Sequence, residues 1–205
     1  LRSAASKLGF EIEKITGEDV DSIAEGKTHG GIFAEVTPAV YPGVEALDPS
    51  SSSFSVILDG TEDPYSLGHS ARVLYCSGAD ALIIPRLPDM ADKVICRASA
   101  GAFELMQVFV CDPAEAVKKY KEAGIKTACM GIRDSVAIRD ADLKFPLLLV
   151  CGGEKRGISA SVSGNADLTV RIPYAREFLG SLPSETALSI FAYEIMSQNS
   201  GDGSN

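Results

Sequence analysis

Three short stretches of this sequence hold residues that could do chemistry. In residues 58–79, LDGTEDPYSLGHSARVLYCSGA, an apolar run ends at Leu58 and the turn residues Asp59, Gly60, Asp63 and Pro64 follow. A helix then begins near Ser66, with Arg72 two turns along. Such a strand-to-helix turn leaves unpaired backbone N–H groups at the carboxyl edge of a parallel sheet, where open α/β sheets bind ligands. Arg72 offers a permanent charge and a planar fork of donors, suited to a phosphate or to negative charge developing in a reaction. The plainer reading is an arginine on a surface helix. In residues 147–159, LLLVCGGEKRGIS, an apolar strand runs into Gly152, Gly153 and Glu154 and on to Gly157. Glycines there let backbone approach a ligand closely. The spacing is neither that of a dinucleotide site nor that of a P-loop, because no Ser or Thr follows Lys155; alone it marks a turn. In residues 170–195, VRIPYAREFLGSLPSETALSIFAYEI, a strand closes on Ile172-Pro173 and a loop reaches Ser181-Leu182. The helix after it has an apolar face that includes Ala187, Ile190, Phe191 and Ile195, and on its own reads as plain core.

The elements that must position these residues begin at Phe54. Apolar strands over 55–58, 81–84, 105–110, 126–130, 145–151 and 168–172 alternate with helices over 66–76, 113–123 and 184–196. Asp112 and Pro113 open the second of these helices and Gly124 ends it. A turn is expected over 85–89, and 94–99 leads into a short segment. Repeated β-α-β units with near-continuous apolar strands predict an α/β fold, a parallel sheet with helices on both faces. Upstream, residues 1–49 read as a small, acidic α/β segment with helices over 1–8 and 17–25 and strands over 10–15 and 31–36. Residues 39–53, with Pro42, Pro49 and four consecutive serines, read as a linker. The expected division is 1–49, then a domain over 54–198, then a polar tail that starts at Ser197, with 199–205 disordered.

The bulk properties narrow the function. A chain of 205 residues with 45% hydrophobic and 23% charged content has ordinary globular composition. No apolar run reaches the roughly 18 residues of a membrane span, so a soluble protein is expected. The first residue is Leu1, which leaves room for an upstream stretch. Cys76, Cys96, Cys111, Cys129 and Cys151 form no C-x-x-C pair and lie in or beside apolar segments, so buried, reduced thiols are expected. Two histidines, His29 and His69, make no metal cluster. A formal net charge of −9 runs against the basic footprint usual for nucleic-acid binders, unless basic residues gather at one groove.

Taken in order, the three stretches resemble the motifs of the SpoU (TrmH-like) family of RNA methyltransferases in the SPOUT superfamily. Asp63-Pro64-Tyr65-Ser66-Leu67-Gly68 with Arg72 is similar to the family's aspartate-proline-x-asparagine-x-glycine block and its arginine. Gly152, Glu154 and Gly157 match its glycine-x-glutamate-x-x-glycine, and Ile172-Pro173 with Ser181-Leu182 match its isoleucine-proline, loop and serine-leucine. Ser99-Ala100-Gly101-Ala102 looks like its serine-x-glycine-alanine segment. The resemblance covers about 54–198. Upstream, residues 28–34 are similar to the histidine-x-glycine end of the family's RNA-binding domain, of which little else is present.

The resemblance implies a C-terminal deep trefoil knot that holds S-adenosylmethionine, largely through backbone at Gly152, Ile172 and Leu182. It implies a cytoplasmic homodimer whose active site is completed across the dimer, needing no metal or membrane, and methyl transfer to a ribose 2′-hydroxyl of rRNA or tRNA. Arg72, Glu154, Ser66 and Ser181 fall in the catalytic motifs, with Arg72 at the reacting ribose or its phosphate and Glu154 orienting the arginine or a nearby loop. A guanidinium does not deprotonate in a protein, so Arg72 would position and stabilise rather than act as a base. Two departures bear on rate and substrate: Ser66 and Pro183 stand where the family has asparagine, and Glu185 lies close behind. Serine keeps one donor and acceptor, whereas proline loses the side-chain amide and the backbone N–H. Two alternatives stay open: a non-catalytic RNA-binding or assembly-factor dimer, and a methyltransferase acting on a non-RNA nucleophile.

Overall fold

Phe54, Val56 and Leu58 project to one side of a strand and Ser55 and Ile57 to the other, and all five are buried. A strand covered on both faces requires this. The structure, a computed structural model, describes residues 1–24, 30–37, 39–88 and 92–200, which divide into two units, Leu1–Val40 and Tyr41–Asn205.

The second unit is built on seven strands: β1 (Phe54–Asp59), β2 (Ala81–Ile84), β3 (Gln107–Val110), β4 (Lys126–Met130), β5 (Val136–Ala137), β6 (Leu147–Gly152) and β7 (Leu168–Arg171). Every pairing is parallel, in the order β3-β2-β1-β6-β4-β7-β5. Helices α3 (Pro64–Cys76), α4 (Asp92–Ser99) and α7 (Ser184–Asn199) cover one face through Leu67, Leu74, Ile95, Leu188, Phe191 and Ile195. Helices α5 (Pro113–Glu122) and α6 (Ala160–Ser163) cover the other through Val117, Tyr120 and Val162. The Tyr120 hydroxyl donates to Ser55 Oγ at 2.7 Å, so two polar groups inside the second layer satisfy each other. The α/β architecture expected from the sequence is present.

Several local expectations are corrected. Residues 41–53 are not a loose linker. Leu47 is 2% exposed in the core under α5, Val110 N donates to the Pro42 carbonyl, and Lys119 Nζ donates to the Val44 carbonyl at 2.8 Å. Apolar burial at Leu47 and Pro49 outweighs the serine-rich composition. Residues 103–105, the last of them expected as strand, form a 3-10 turn (Phe103–Leu105), and β6 begins after Pro146, which has no N–H for a ladder. The tail's first residues are helical: α7 continues to Asn199, where side chains clamp the segment before β6. Gln198 Oε1 accepts from Leu143 N, and Asn199 accepts from Phe145 N while donating to the Leu143 carbonyl. The final residues, 201–205, lie outside the described ones. Cys76 and Cys96 are exposed on α3 and α4 rather than buried.

The first unit carries helices α1 (Arg2–Leu8) and α2 (Gly17–Ile23). The latter opens on a reciprocal cap in which Thr16 and Asp19 each accept the other's backbone N–H. Neither expected strand, 10–15 or 31–36, is formed. At 10–15 alternation of apolar and charged residues was not enough, because a strand needs a ladder partner for its backbone groups. The end of the expected helix at Glu25, the Thr28-His29 part of the histidine-x-glycine segment, and the end of the expected turn at Asp89 lie outside the described residues.

Candidate active site

The second and third motifs converge because the strands that carry them are near neighbours. Strands β6 and β7 flank β4, and their carboxyl ends open on a cleft of about 820 Å³. Gly152 and Glu154 line it from the β6 end, Ile172 from the β7 end, and Ser181, Leu182 and Pro183 from the entry to α7. Leu182 N donates to the Tyr174 hydroxyl at 3.0 Å, and the Tyr174 ring leans on Phe178, so the loop between β7 and α7 closes on itself. Ligand clefts of roughly 300–1,000 Å³ at strand carboxyl ends are the usual small-molecule sites of open α/β sheets.

The first motif meets this cleft from the side. Asp63 caps α3 by accepting from Ser66 N at 2.8 Å, with Pro64 at the first helical position. Ser66, Asp63 and Glu185 border a second cavity of about 90 Å³ that shares Cys151, Gly153, Glu154 and Ser184 with the cleft. Glu154 therefore faces both spaces. Asp59 ties the loops together: its carbonyl accepts from Gly153 N at 2.7 Å and its carboxylate from Ser159 N at 2.8 Å. A Cβ on Gly153 would lie 2.2 Å from the Gly60 carbonyl oxygen, and one on Gly152 would lie 2.5 Å from the Gly157 carbonyl carbon. The chain's own backbone demands these glycines, over and above any room a ligand needs.

Arg72 borders neither cavity. On α3 the exposed residues Tyr65, His69, Arg72 and Cys76 follow helical spacing and form one outward stripe, while Ser66 and Ser70 line the inner side. No hydrogen bond or ion pair joins Arg72 to Glu154 or to any other described residue. The structure thus brings together Gly152, Ile172, Leu182, Ser181, Glu154 and, through the small cavity, Ser66, and leaves Arg72 on the outer surface of the same chain.

Other residues at the site lie outside the motif positions. Arg133 lines the cleft from the loop after β4, and nothing in its local sequence marked it. Glu185, noticed in the sequence only as a neighbour of Pro183, has one carboxylate oxygen buried without a partner. Pro183 is the N-cap of α7 and offers no side-chain cap, a place where asparagine would supply one. Cys129 and Cys151 both line the cleft, and burial pushes each thiol up to about 12, with the Asp59 and Glu185 charges adding to the shift. Neither is a thiolate at neutral pH, so neither serves as a nucleophile. Among the described residues no group of His, Cys, Asp and Glu is arranged to hold a metal ion, and no helix is long and apolar enough to cross a membrane.

The thiols give a first measurement. In the folded protein at pH 8, Cys76 is expected to react readily with a maleimide, and Cys96, whose thiol is pushed up by burial, more slowly. Cys129 and Cys151 are expected to react only after denaturation, as read by mass spectrometry of peptides. Labelling of Cys151 at the rate of Cys76 would contradict this packing.

Comparison with known proteins points to one family. A TrmH family tRNA/rRNA methyltransferase of Staphylococcus haemolyticus is 29% identical over 201 residues, which are 95% of this chain and 80% of the relative. The Bacillus subtilis protein YacO, of the same description, is 28% identical over 93% of this chain and 79% of its own length. Among solved structures, the SpoU methyltransferase AviRb from Streptomyces viridochromogenes in complex with AdoMet aligns with TM-score 0.64 and 28% identity, over 72% of this chain and 61% of that one. The chain thus spans about three fifths of that solved chain. The family model described as SpoU rRNA Methylase family matches residues 53–193, most of the second unit. The chain belongs to the SpoU rRNA Methylase family.

Proposed function

We propose that this protein transfers the methyl group of S-adenosylmethionine to a ribose 2′-hydroxyl of rRNA or tRNA, acting as a cytoplasmic homodimer. The observation that carries the reading is the single cleft uniting Gly152, Ile172, Leu182, Ser181 and Glu154. Its lining suits the cofactor: Ile158, Ile172, Leu182 and Phe191 offer apolar surface that would take a flat base, and Glu154 a carboxylate that would suit a cationic ligand. The cofactor would supply the methyl group as an already activated electrophile. The protein's part is then alignment, with backbone at Gly152, Ile172 and Leu182 holding the donor while Ser66, Ser181 and Arg72 position the acceptor. A trefoil knot belongs to the same proposal. In support, the late strand β6 is inserted between β1 and β4, and α7 returns to pack on α3.

The test is incubation with methyl-labelled cofactor and total RNA, then digestion and identification of ribose-methylated nucleosides. No label in RNA, with the cofactor still bound, would favour the non-catalytic dimer, a reading to which the uncapped Pro183 lends weight. Label in a non-RNA acceptor would favour the other alternative. Calorimetry is expected to give one cofactor site per subunit. Pro183→Asn is expected to raise methyl transfer or leave it unchanged. Loss of activity instead would mean that the site has been rebuilt around proline for another acceptor.

The dimer has its own support in exposed apolar side chains on α7, Ile190 and Tyr193, and in the loop before it, Phe178 and Leu179. A dimeric mass by light scattering at micromolar concentration is expected, and Tyr193→Asp is expected to shift it toward monomer.

A further inference from the structure

The chain's two kinds of basic residue are not mixed at random over the second unit. Six of this unit's eight arginines, 86, 133, 139, 156, 171 and 176, lie at a strand's carboxyl end or within five residues beyond it, against one of its seven lysines, Lys155. The other lysines of this unit lie in helices or at the opposite, amino-terminal edge of the sheet. Lys155 is already engaged by Glu62 at 3.0 Å, and Arg171 by Ser135. Arg86, Arg133, Arg156 and Arg176 are exposed, and none makes an ion pair or hydrogen bond with another described residue. They follow β2, β4, β6 and β7. Those strands span four steps in the sheet, roughly 19 Å at about 4.8 Å per step. Arg133 lines the cleft itself, and Arg156 and Arg176 lie in loops whose residues Glu154, Gly157, Tyr174 and Ser181 line it.

We infer that Arg86, Arg133, Arg156 and Arg176 form a track for the phosphodiester backbone of single-stranded RNA across the mouth of the cleft. The inference rests on the RNA reading proposed above and gives that site its docking surface. Guanidinium forks are the side chains of choice for phosphate, because they keep their charge and bond two oxygens at once. Among the described residues nothing hydrogen-bonds or ion-pairs these four forks; the Glu62 carboxylate, which Arg86 and Arg156 feel at a distance, is bonded to Lys155. The strand ends and loops at this edge also carry Asp59, Glu62, Asp63, Asp134, Glu154 and Glu177, and Glu62 lies within electrostatic reach of Arg86 and Arg156, so the edge is of mixed charge. What selects RNA backbone over a smaller anion is repetition of the fork along a line.

The test uses the full chain, a fluorescein-labelled single-stranded RNA of mixed sequence, and anisotropy at several salt concentrations. Four phosphate contacts predict a log–log salt slope of about −3, a roughly 50-fold loss of affinity between about 50 and 200 mM salt. The triple variant Arg86→Gln/Arg156→Gln/Arg176→Gln, which spares the cleft lining, is expected to reduce the slope by about 2 and to weaken binding at least tenfold at low salt. Its melting temperature and cofactor affinity should stay as in the unaltered protein. Lys118→Gln/Lys121→Gln on α5 is expected to bind RNA normally. The inference is overturned if the unaltered protein does not bind the RNA, if the triple variant binds with unchanged affinity and slope, or if the lysine pair weakens binding as much. RNA binding through the arginines with no methyl transfer would sink the catalytic reading alone. Methyl transfer by a protein whose triple variant binds RNA normally would sink this one alone.

Discussion

Arg72→Ala is expected to lower the rate of methyl transfer by two or more orders of magnitude while leaving cofactor affinity within a factor of about two. The cofactor cleft is lined by the ends of β4, β6 and β7 and by the start of α7, and Arg72 touches none of it. Truncating an exposed helix residue with no hydrogen-bond or ion-pair partner among the described residues removes little packing, so the melting temperature should not move. A large kinetic effect from such a residue would then have to come from contacts made outside its own chain, with RNA or with a second subunit. The two origins separate in mixed dimers. Arg72→Ala and Glu154→Ala subunits, each nearly inactive alone, are expected to regain part of the activity when mixed if Arg72 serves the partner's cleft, because one of the two clefts then keeps both residues. No recovery would place the arginine's role in its own subunit. Arg72→Lys is expected to rescue poorly in either case, since a point charge cannot replace a planar fork. An alanine variant as active as the unaltered protein on its RNA would remove Arg72 from the active centre.

Strands and helices of the second unit were legible where one residue pattern has one structural solution. Residues 81–84 and 126–130, short apolar runs between turn signals, are strands at those positions. The helix opened by Asp112 and Pro113 is capped as the pair requires. Legibility failed where structure depends on a distant partner. The two-residue strand β5 exists because Val136 and Ala137 pair with Val170 and Arg171 over thirty residues away, and no local pattern announces that. Leu47 sits in a serine- and proline-rich stretch and is buried because α5 offers it a site. The reverse holds at 10–15, where a strand-like alternation finds no partner. At the site, the motif residues of β6, β7 and the start of α7 were legible together only through their resemblance to the family's motifs, since each stretch alone reads as a turn or plain core. Arg133 and the buried oxygen of Glu185 were not, since their significance arises from which strand ends become neighbours.

The glycines at the end of β6 give the second large expected effect, and they discriminate between two reasons for a glycine. If Gly152 served only to leave room for a ligand, Gly152→Ala would keep the melting temperature of the free protein and lose cofactor affinity. The structure points elsewhere. A Cβ at Gly152 would meet the Gly157 carbonyl carbon at 2.5 Å and Ile158 N at 2.6 Å, and one at Gly153 would meet the Gly60 carbonyl oxygen at 2.2 Å. All are backbone atoms, which cannot swing away as a side chain can, so the loops after β1 and β6 must part. Overpacking of this kind costs about 1–3 kcal/mol, which in a chain of this size lowers the melting temperature of the free protein by roughly 2–12 °C. Cofactor affinity should fall too, because the displaced loop carries Glu154 and part of the cleft wall. Gly157 is the internal control. Its φ of +65° favours glycine, yet a Cβ there meets nothing within 4 Å, so Gly157→Ala pays only the left-handed backbone penalty of about 1–2 kcal/mol. The expected order of destabilisation, by differential scanning fluorimetry without cofactor, is Gly153→Ala and Gly152→Ala above Gly157→Ala. Equal melting temperatures for Gly152→Ala and the unaltered protein, with affinity alone lost, would show that the ligand and not the chain requires this glycine.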